Sequence, residues 1–337
     1  MGAWFFSRVL FLAALLCGLP SLAASRCDVD VATQRVDLAQ VSLAYQSIGR
    51  ASDPALLLVM GLGGQLIHWP DEVVVALCQQ GFRVIRYDNR DVGLSTWRQA
   101  PAEANLTFEV LRYKLGLPVS APYTLTDMAD DGLGLMDALH IEQFHVLGAS
   151  MGGMIAQHMA AMAPRRVESL TLIMSTSGAE GLPAPSAALL QLLARRGAPN
   201  REVALEQQAD LLAALGSPAV TDDRQALLQQ AALAYDRAFN PEGAKRQILA
   251  ILAEPSGIAQ PATGAGAGRA WHGRSVVAGD AWRAPGGAFA WQPVEVDTGV
   301  GPSFSGSVQG AVAGGSLAVP ARSSRGHFAL GADRACG

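Results

Sequence analysis

The sequence predicts an α/β fold, a mostly parallel sheet with helices packed on both faces. From about residue 33, short apolar runs of strand length alternate with longer stretches of helical periodicity. One run, Ala55 to Met60, is apolar without interruption, which suits a strand buried on both faces. The elements follow in order. Gln34 to Leu38 and Val41 to Ile48 read as a hairpin, and the buried strand comes next. A Gly-rich turn leads to a helix around Glu72 to Gln80 and a strand from Arg83 to Tyr87. Leu125 to Leu139 is amphipathic, and Phe144 to Leu147 is a strand followed by a helix from Gly153 to Ala160. The next strand is Leu170 to Met174. Residues 24–182 therefore read as the core. Residues 183–253, rich in Ala, Leu, Gln and Arg at helical spacing, read as a helical lid over the strand ends, where open α/β sheets bind ligands.

Half of the 337 residues are hydrophobic, enough for a sizeable core in one large domain or two small ones. A net charge of −4 gives no electrostatic footprint for nucleic acid. Residues 1–23 have the pattern of an export signal: Arg8 supplies the charge, Val9 to Leu16 the apolar stretch, and Ser21-Leu22-Ala23 the cleavage site. That stretch is too short to span a bilayer comfortably, so no stable membrane insertion is expected after cleavage, and the mature protein is expected to be periplasmic or secreted. Leu16 before Cys17 argues against a lipid-modified cysteine. Cleavage leaves Cys27, Cys78 and Cys336. A Cys27–Cys78 bridge is permitted in an oxidising compartment, but three cysteines make no framework, and unpaired thiols are the default expectation.

The chemistry is concentrated at Gly148-Ala149-Ser150-Met151-Gly152. A serine between a strand and a helix sits in a tight turn that pushes its hydroxyl out of the sheet. Gly148, Ala149, Gly152 and Gly153 let the backbone pass. This is a nucleophile elbow, with Ser150 as the nucleophile. A second element, Met60-Gly61-Leu62-Gly63-Gly64, follows the buried strand, where Gly61 and its neighbours allow close approach of main chain to ligand. The backbone N–H groups of Leu62 and Met151 are the expected oxyanion hole. His68 and Trp69 are expected to line or support the pocket, and the charges of Asp88 to Ser95 to fix a turn rather than react.

Taken together, residues 55–253 resemble the α/β-hydrolase superfamily, and within it esterases similar to aclacinomycin methylesterase. The resemblance rests on Leu58-Val59-Met60-Gly61-Leu62-Gly63-Gly64-Gln65, Tyr87-Asp88-Asn89-Arg90-Asp91-Val92-Gly93-Leu94-Ser95 and Gly148-Ala149-Ser150-Met151-Gly152-Gly153. Ala234-Tyr235-Asp236-Arg237-Ala238-Phe239-Asn240-Pro241 has the same character. It implies the α/β-hydrolase fold and hydrolysis of a small, hydrophobic carboxylic ester through an acyl-enzyme, with no metal or organic cofactor. Alternatives on the same fold are C–C bond hydrolysis, perhydrolysis, or a binding protein without catalysis. Halide displacement would need aspartate where Ser150 stands.

The chain departs from that pattern after about residue 254. The family order is serine, acid, histidine, with the acid after a late strand and the histidine near the end. Residues 261–337 hold sixteen Gly, sixteen Ala, no Ile, no Lys and only two Leu, a composition that cannot supply a packed core. The last strands are therefore expected to be missing or disordered. Read one base forward, Trp271-His272 must encode glycine, and the surrounding codons permit an acid loop over residues 263–278 and a histidine segment over 297–304. The tail reads as out of frame, and activity as impaired. On that reading Gly279-Asp280 and Arg325-Gly326-His327-Phe328 are decoys, and Glu180 is a weak candidate acid.

Overall fold

The structure, a computed structural model, describes residues 27–99, 105–178, 186–195, 198, 200–215 and 223–254, with the backbone of 274–278 and 293–294. Among the described residues eight strands form one sheet in the order β1-β2-β4-β3-β5-β6-β7-β8. They are β1 (Gln34–Asp37), β2 (Ser42–Ile48), β3 (Ala55–Val59), β4 (Arg83–Tyr87), β5 (Phe144–Ala149), β6 (Val167–Ile173), β7 (Arg274–Ala278) and β8 (Pro293–Val294). β1 and β2 form the antiparallel hairpin, β2 runs antiparallel to β4, and β3 to β7 are parallel. The α/β reading of the sequence holds. β6 begins three residues before the apolar run that marked it, because Glu168 and Ser169 continue the extended chain into solvent and the neighbouring strand.

β7 lies in the stretch whose composition argued against strands. Arg274 to Ala278 pair in parallel with Ser169 to Ile173, and Val277 and Ala278 pair with the two residues of β8. The two adjacent valines of β7 favour extended backbone, and pairing satisfies the open edge of β6. The rest of residues 255–337 lies outside the described residues, as do the signal segment, Glu180, Asp280 and His327.

The helices are α1 (Asp71–Gln79), α2 (Leu106–Lys114), α3 (Leu125–Ala138), α4 (Met151–Met162), α5 (Ala187–Ala194), α6 (Arg201–Leu215), α7 (Arg224–Arg237) and α8 (Pro241–Leu252). Sequence periodicity did not reveal α2, because it exposes Phe108, Leu111 and Leu115 and buries Glu109. β3 shows why the sheet is a sandwich. Leu57 and Val59 face one side with Val146, Met128, Leu135, Ile155 and Met159, while Leu56 and Leu58 face the other with Val74, Leu77 and Trp69. Alternation at period two thus feeds two cores from one uninterrupted apolar strand. Among the described residues no helix is long and apolar enough to cross a membrane.

Cys27 and Cys78 form a disulfide with a Cα–Cα separation of 5.6 Å, which corrects the expectation of unpaired thiols. The cause is tertiary. Val29 and Val31 pack with Cys27 on the core cluster that buries Cys78, and Gln46 donates to the Val31 carbonyl, so the N-terminal segment is laid beside α1.

Candidate active site

The loops after β3, β4 and β5 converge because their strands are neighbours: Leu58 pairs with Arg86 on one side and Val59 with Gly148 on the other. Ser150 caps α4 with φ 54° and ψ −122°, a strained conformation for a residue with a side chain. The surroundings hold it there. Its N–H donates to the Ile173 carbonyl at 2.8 Å, and its carbonyl accepts from Gly153 N–H at 2.9 Å and Ser175 Oγ at 2.8 Å. The glycines are sterically required. A Cβ at Gly148 would lie 2.3 Å from the Gly152 carbonyl oxygen, and one at Gly152 would lie 2.1 Å from that of Val59. These two glycines let α4 descend directly onto the end of β3.

Gly61 abuts the serine: a Cβ there would sit 3.1 Å from Ser150 Cβ and 3.6 Å from its Oγ. The loop turns tightly, with Gly64 N–H donating to the Gly61 carbonyl and Gly63 at φ 63°. Met151 opens α4, so its N–H is among the first-turn donors that have no carbonyl one turn back, and the helix dipole favours negative charge beside it. The residues expected from sequence to form the elbow and the glycine loop, Gly61, Leu62, Gly148, Ser150, Met151 and Gly152, are brought together at one sheet edge.

The polar turn after β4 is a buried network. Asp88 accepts from Leu66 N–H and Leu94 N–H and pairs with Arg237. Arg90 makes two bonds to Asp131, and Arg246 two to Asp91, which also accepts from the Tyr123 hydroxyl. Burial beside Asp91 pushes the Tyr123 phenol well above its ordinary range, so it stays a donor. Asn89 donates to the Met60 carbonyl, tying this turn to the glycine loop. The reading of these charges as fixing a turn agrees with the geometry. Their partners on α3, α7 and α8 had no local signal in the sequence.

A cavity lies between the glycine loop and helices α5 to α8. Gly63 and His68 line it from below, and Leu192, Leu211, Tyr235 and Phe239 from above. Ser150 is not part of its wall. His68 instead bonds with Gln65, closing the short turn after the glycine loop. The other described histidines are also placed away from Ser150. His145 meets Ser169 and Glu168, His158 meets Thr126 and Glu254, and His140 is exposed at the end of α3. Among the described residues no group of three His, Cys, Asp or Glu is placed to hold a metal.

A family model described as the alpha/beta hydrolase fold matches residues 54–242, which include every loop of this site. The chain belongs to that family. Within it the chain resembles rhodomycin D methylesterase of Streptomyces sp. strain C5, 30% identical over 213 residues, covering 57% of this chain and 65% of that one. The corresponding methylesterase of Streptomyces peucetius is 30% identical over 194 residues, covering 57% of each chain. The chain thus spans less than two thirds of the length of either relative. Among solved structures, the 2-hydroxy-6-oxo-6-phenylhexa-2,4-dienoate hydrolase of Rhodococcus sp. strain RHA1 superposes with a TM-score of 0.54 at 20% identity, covering 75% of this chain and 82% of that one. That likeness shows the alpha/beta hydrolase fold alone.

Proposed function

We propose that this protein is a serine hydrolase of carboxylic esters acting through an acyl-enzyme, with Ser150 as nucleophile. The observation that carries the reading is the strained turn at Ser150, held by hydrogen bonds to its N–H and carbonyl and abutted by Gly61. Attack by Oγ on an ester carbonyl forms a bond to carbon and moves the carbonyl electron pair onto oxygen. The N–H groups of Leu62 and Met151 receive that charge, and each such donor lowers the barrier by about 3 kcal/mol. Collapse expels the alkoxide, which leaves as the alcohol with the proton that Oγ gave up, and water then cleaves the acyl-enzyme, releasing the carboxylic acid and restoring the proton to Oγ. The apolar composition of residues 183–253 supports a hydrophobic ester as substrate, and the methylesterases that the chain resembles support the ester class.

Impaired activity is part of the proposal: residues 261–337 hold neither the acid segment nor the histidine segment of the family order, and a serine without its base keeps an unactivated hydroxyl. Export is part of the same proposal. The Cys27–Cys78 bridge, just beyond the cleavage site read in the sequence, supports an oxidising compartment. The test is labelling with a fluorophosphonate and turnover of short-chain p-nitrophenyl esters, in the wild type and in Ser150→Ala. Labelling that Ser150→Ala abolishes, with turnover far below an ordinary esterase, is the expected result. Equal labelling of both proteins overturns Ser150, and no labelling of either points to a binding protein. Sequencing the coding DNA across codons 250–270 tests the out-of-frame tail, and an uninterrupted frame identical to this sequence overturns it.

A further inference from the structure

The glycine loop after β3 has little of its own to hold it in one conformation. Gly61, Gly63 and Gly64 fall within four residues, and glycine backbones lose the most freedom on ordering. Yet an oxyanion donor is effective only when aimed in advance. The loop's internal bond, from Gly64 N–H to the Gly61 carbonyl, closes the turn but does not fix its position against Ser150.

Gln247 supplies an outside anchor. Its side chain lies on α8 and is completely buried. Oε1 accepts from Gly63 N–H at 2.7 Å, and Nε2 donates to the Arg90 carbonyl at 2.9 Å. The carboxamide therefore bridges the loop after β3 and the turn after β4, using one acceptor and one donor. Only an amide does this without charge: a carboxylate would set oxygen against the Arg90 carbonyl, and an alkyl chain would bury both backbone groups without a side-chain partner. α8 is itself pinned. Arg246 grips Asp91 with two 2.8 Å bonds, Asn240 donates to the Asp91 carbonyl, and Gly243 leaves no room for a Cβ above that oxygen. A second tie acts on the end of the loop, where Gln65 donates to the Ala234 and Ala238 carbonyls and accepts from Arg237.

We infer that Gln247 is a positioning residue of the reaction: it fixes the Leu62–Gly63 peptide, next along the chain from the Gly61–Leu62 peptide that carries the Leu62 oxyanion donor, and makes the oxyanion loop depend on helix α8. The inference rests on the reading of Ser150 as nucleophile. The test uses Gln247→Met, close in volume but without hydrogen bonds, and Gln247→Asn, which keeps the amide but cannot span both partners. Lys245→Ala, at an exposed pair with Glu242, is the control. Hydrogen exchange of the segment 61–64 is expected to speed up by about tenfold or more in both variants. In Ser150-dependent ester turnover, kcat is expected to fall by about ten- to a hundredfold with KM within about twofold. A lid that merely packs would shift thermal stability without this split. Unchanged exchange overturns the inference whatever the turnover shows. Faster exchange with unchanged kcat overturns the positioning role. If Gln247→Met fails to fold, Gln247→Asn decides. If the wild type shows no Ser150-dependent turnover, the hydrolase reading fails on that ground, while the exchange result still decides whether Gln247 holds the loop.

Discussion

Steric contacts at single residues account for the geometry of the elbow. Ser150 occupies a backbone conformation that costs about 1–3 kcal/mol, and hydrogen bonds to its N–H and carbonyl offset it. Gly148 matters because nothing around it can yield. Its missing Cβ would meet the backbone of Gly152 and Gly153, not a flexible side chain. Gly148→Ala is expected to destabilise the protein by about 3 kcal/mol or more, read from the urea midpoint. Gly61→Ala meets a softer contact at 3.0–3.1 Å and is expected to fold, with slower labelling at Ser150 because the loop must back away from the serine. These positions were legible in the sequence because a strand, a tight turn and a helix within ten residues leave few alternatives. Gly153 was also legible, although its partner, Ser175, was not: that contact crosses between the ends of two strands.

Among the secondary-structure elements, the turn after β4 organises the site. Its charges were readable as structural, since they cluster in one polar turn, but the partners lie far along the chain. Arg90 meets Asp131 on α3, and Asp91 meets Arg246 on α8. Burial pushes the Asp131 carboxyl above its usual range, although Arg90 draws it down, so desolvation is the larger influence. Breaking such a pair leaves a charge without compensation in a dry site. Asp131→Ala is expected to cost about 3–5 kcal/mol in chemical denaturation, whereas replacing both Arg90 and Asp131 with apolar residues costs much less. The same logic explains why Gln247 escaped sequence reading. A glutamine on a helix is ordinary, and its partner Gly63 lies 184 residues away.

For the whole molecule, stability depends on a covalent tie and on pH. The Cys27–Cys78 bridge closes a loop of 51 residues, worth about 4 kcal/mol if it acts by restricting the unfolded chain. Replacing both cysteines with serine is expected to lower the thermal midpoint in the absence of reductant, and adding reductant is expected to do the same to the wild type. Acid should weaken the fold through two buried histidines. Burial holds His158 and His145 below the ordinary histidine value of 6.5, so the unfolded chain binds more protons near that pH. Stability is therefore present above pH 6.5 and is lost as pH falls from there towards the folded-state values. Glu254 lies 3.2 Å from His158, and its own burial pushes its carboxyl upward. His158→Gln is expected to flatten the fall of the denaturation midpoint as pH drops below 6.5.

The sequence by itself determined the local features: the alternation of strands and helices, the uninterrupted β3 core, the elbow at Ser150 and the glycine loop after β3. Each is written within a dozen residues, where backbone sterics and the burial pattern admit essentially one reading. The tertiary structure decided the rest. It brought Cys27 to Cys78, laid β7 against β6, and joined Arg246 and Gln247 to the loops that flank the serine. Those contacts link segments up to 184 residues apart, and they exist only because packing of the two cores fixes where the loop ends meet.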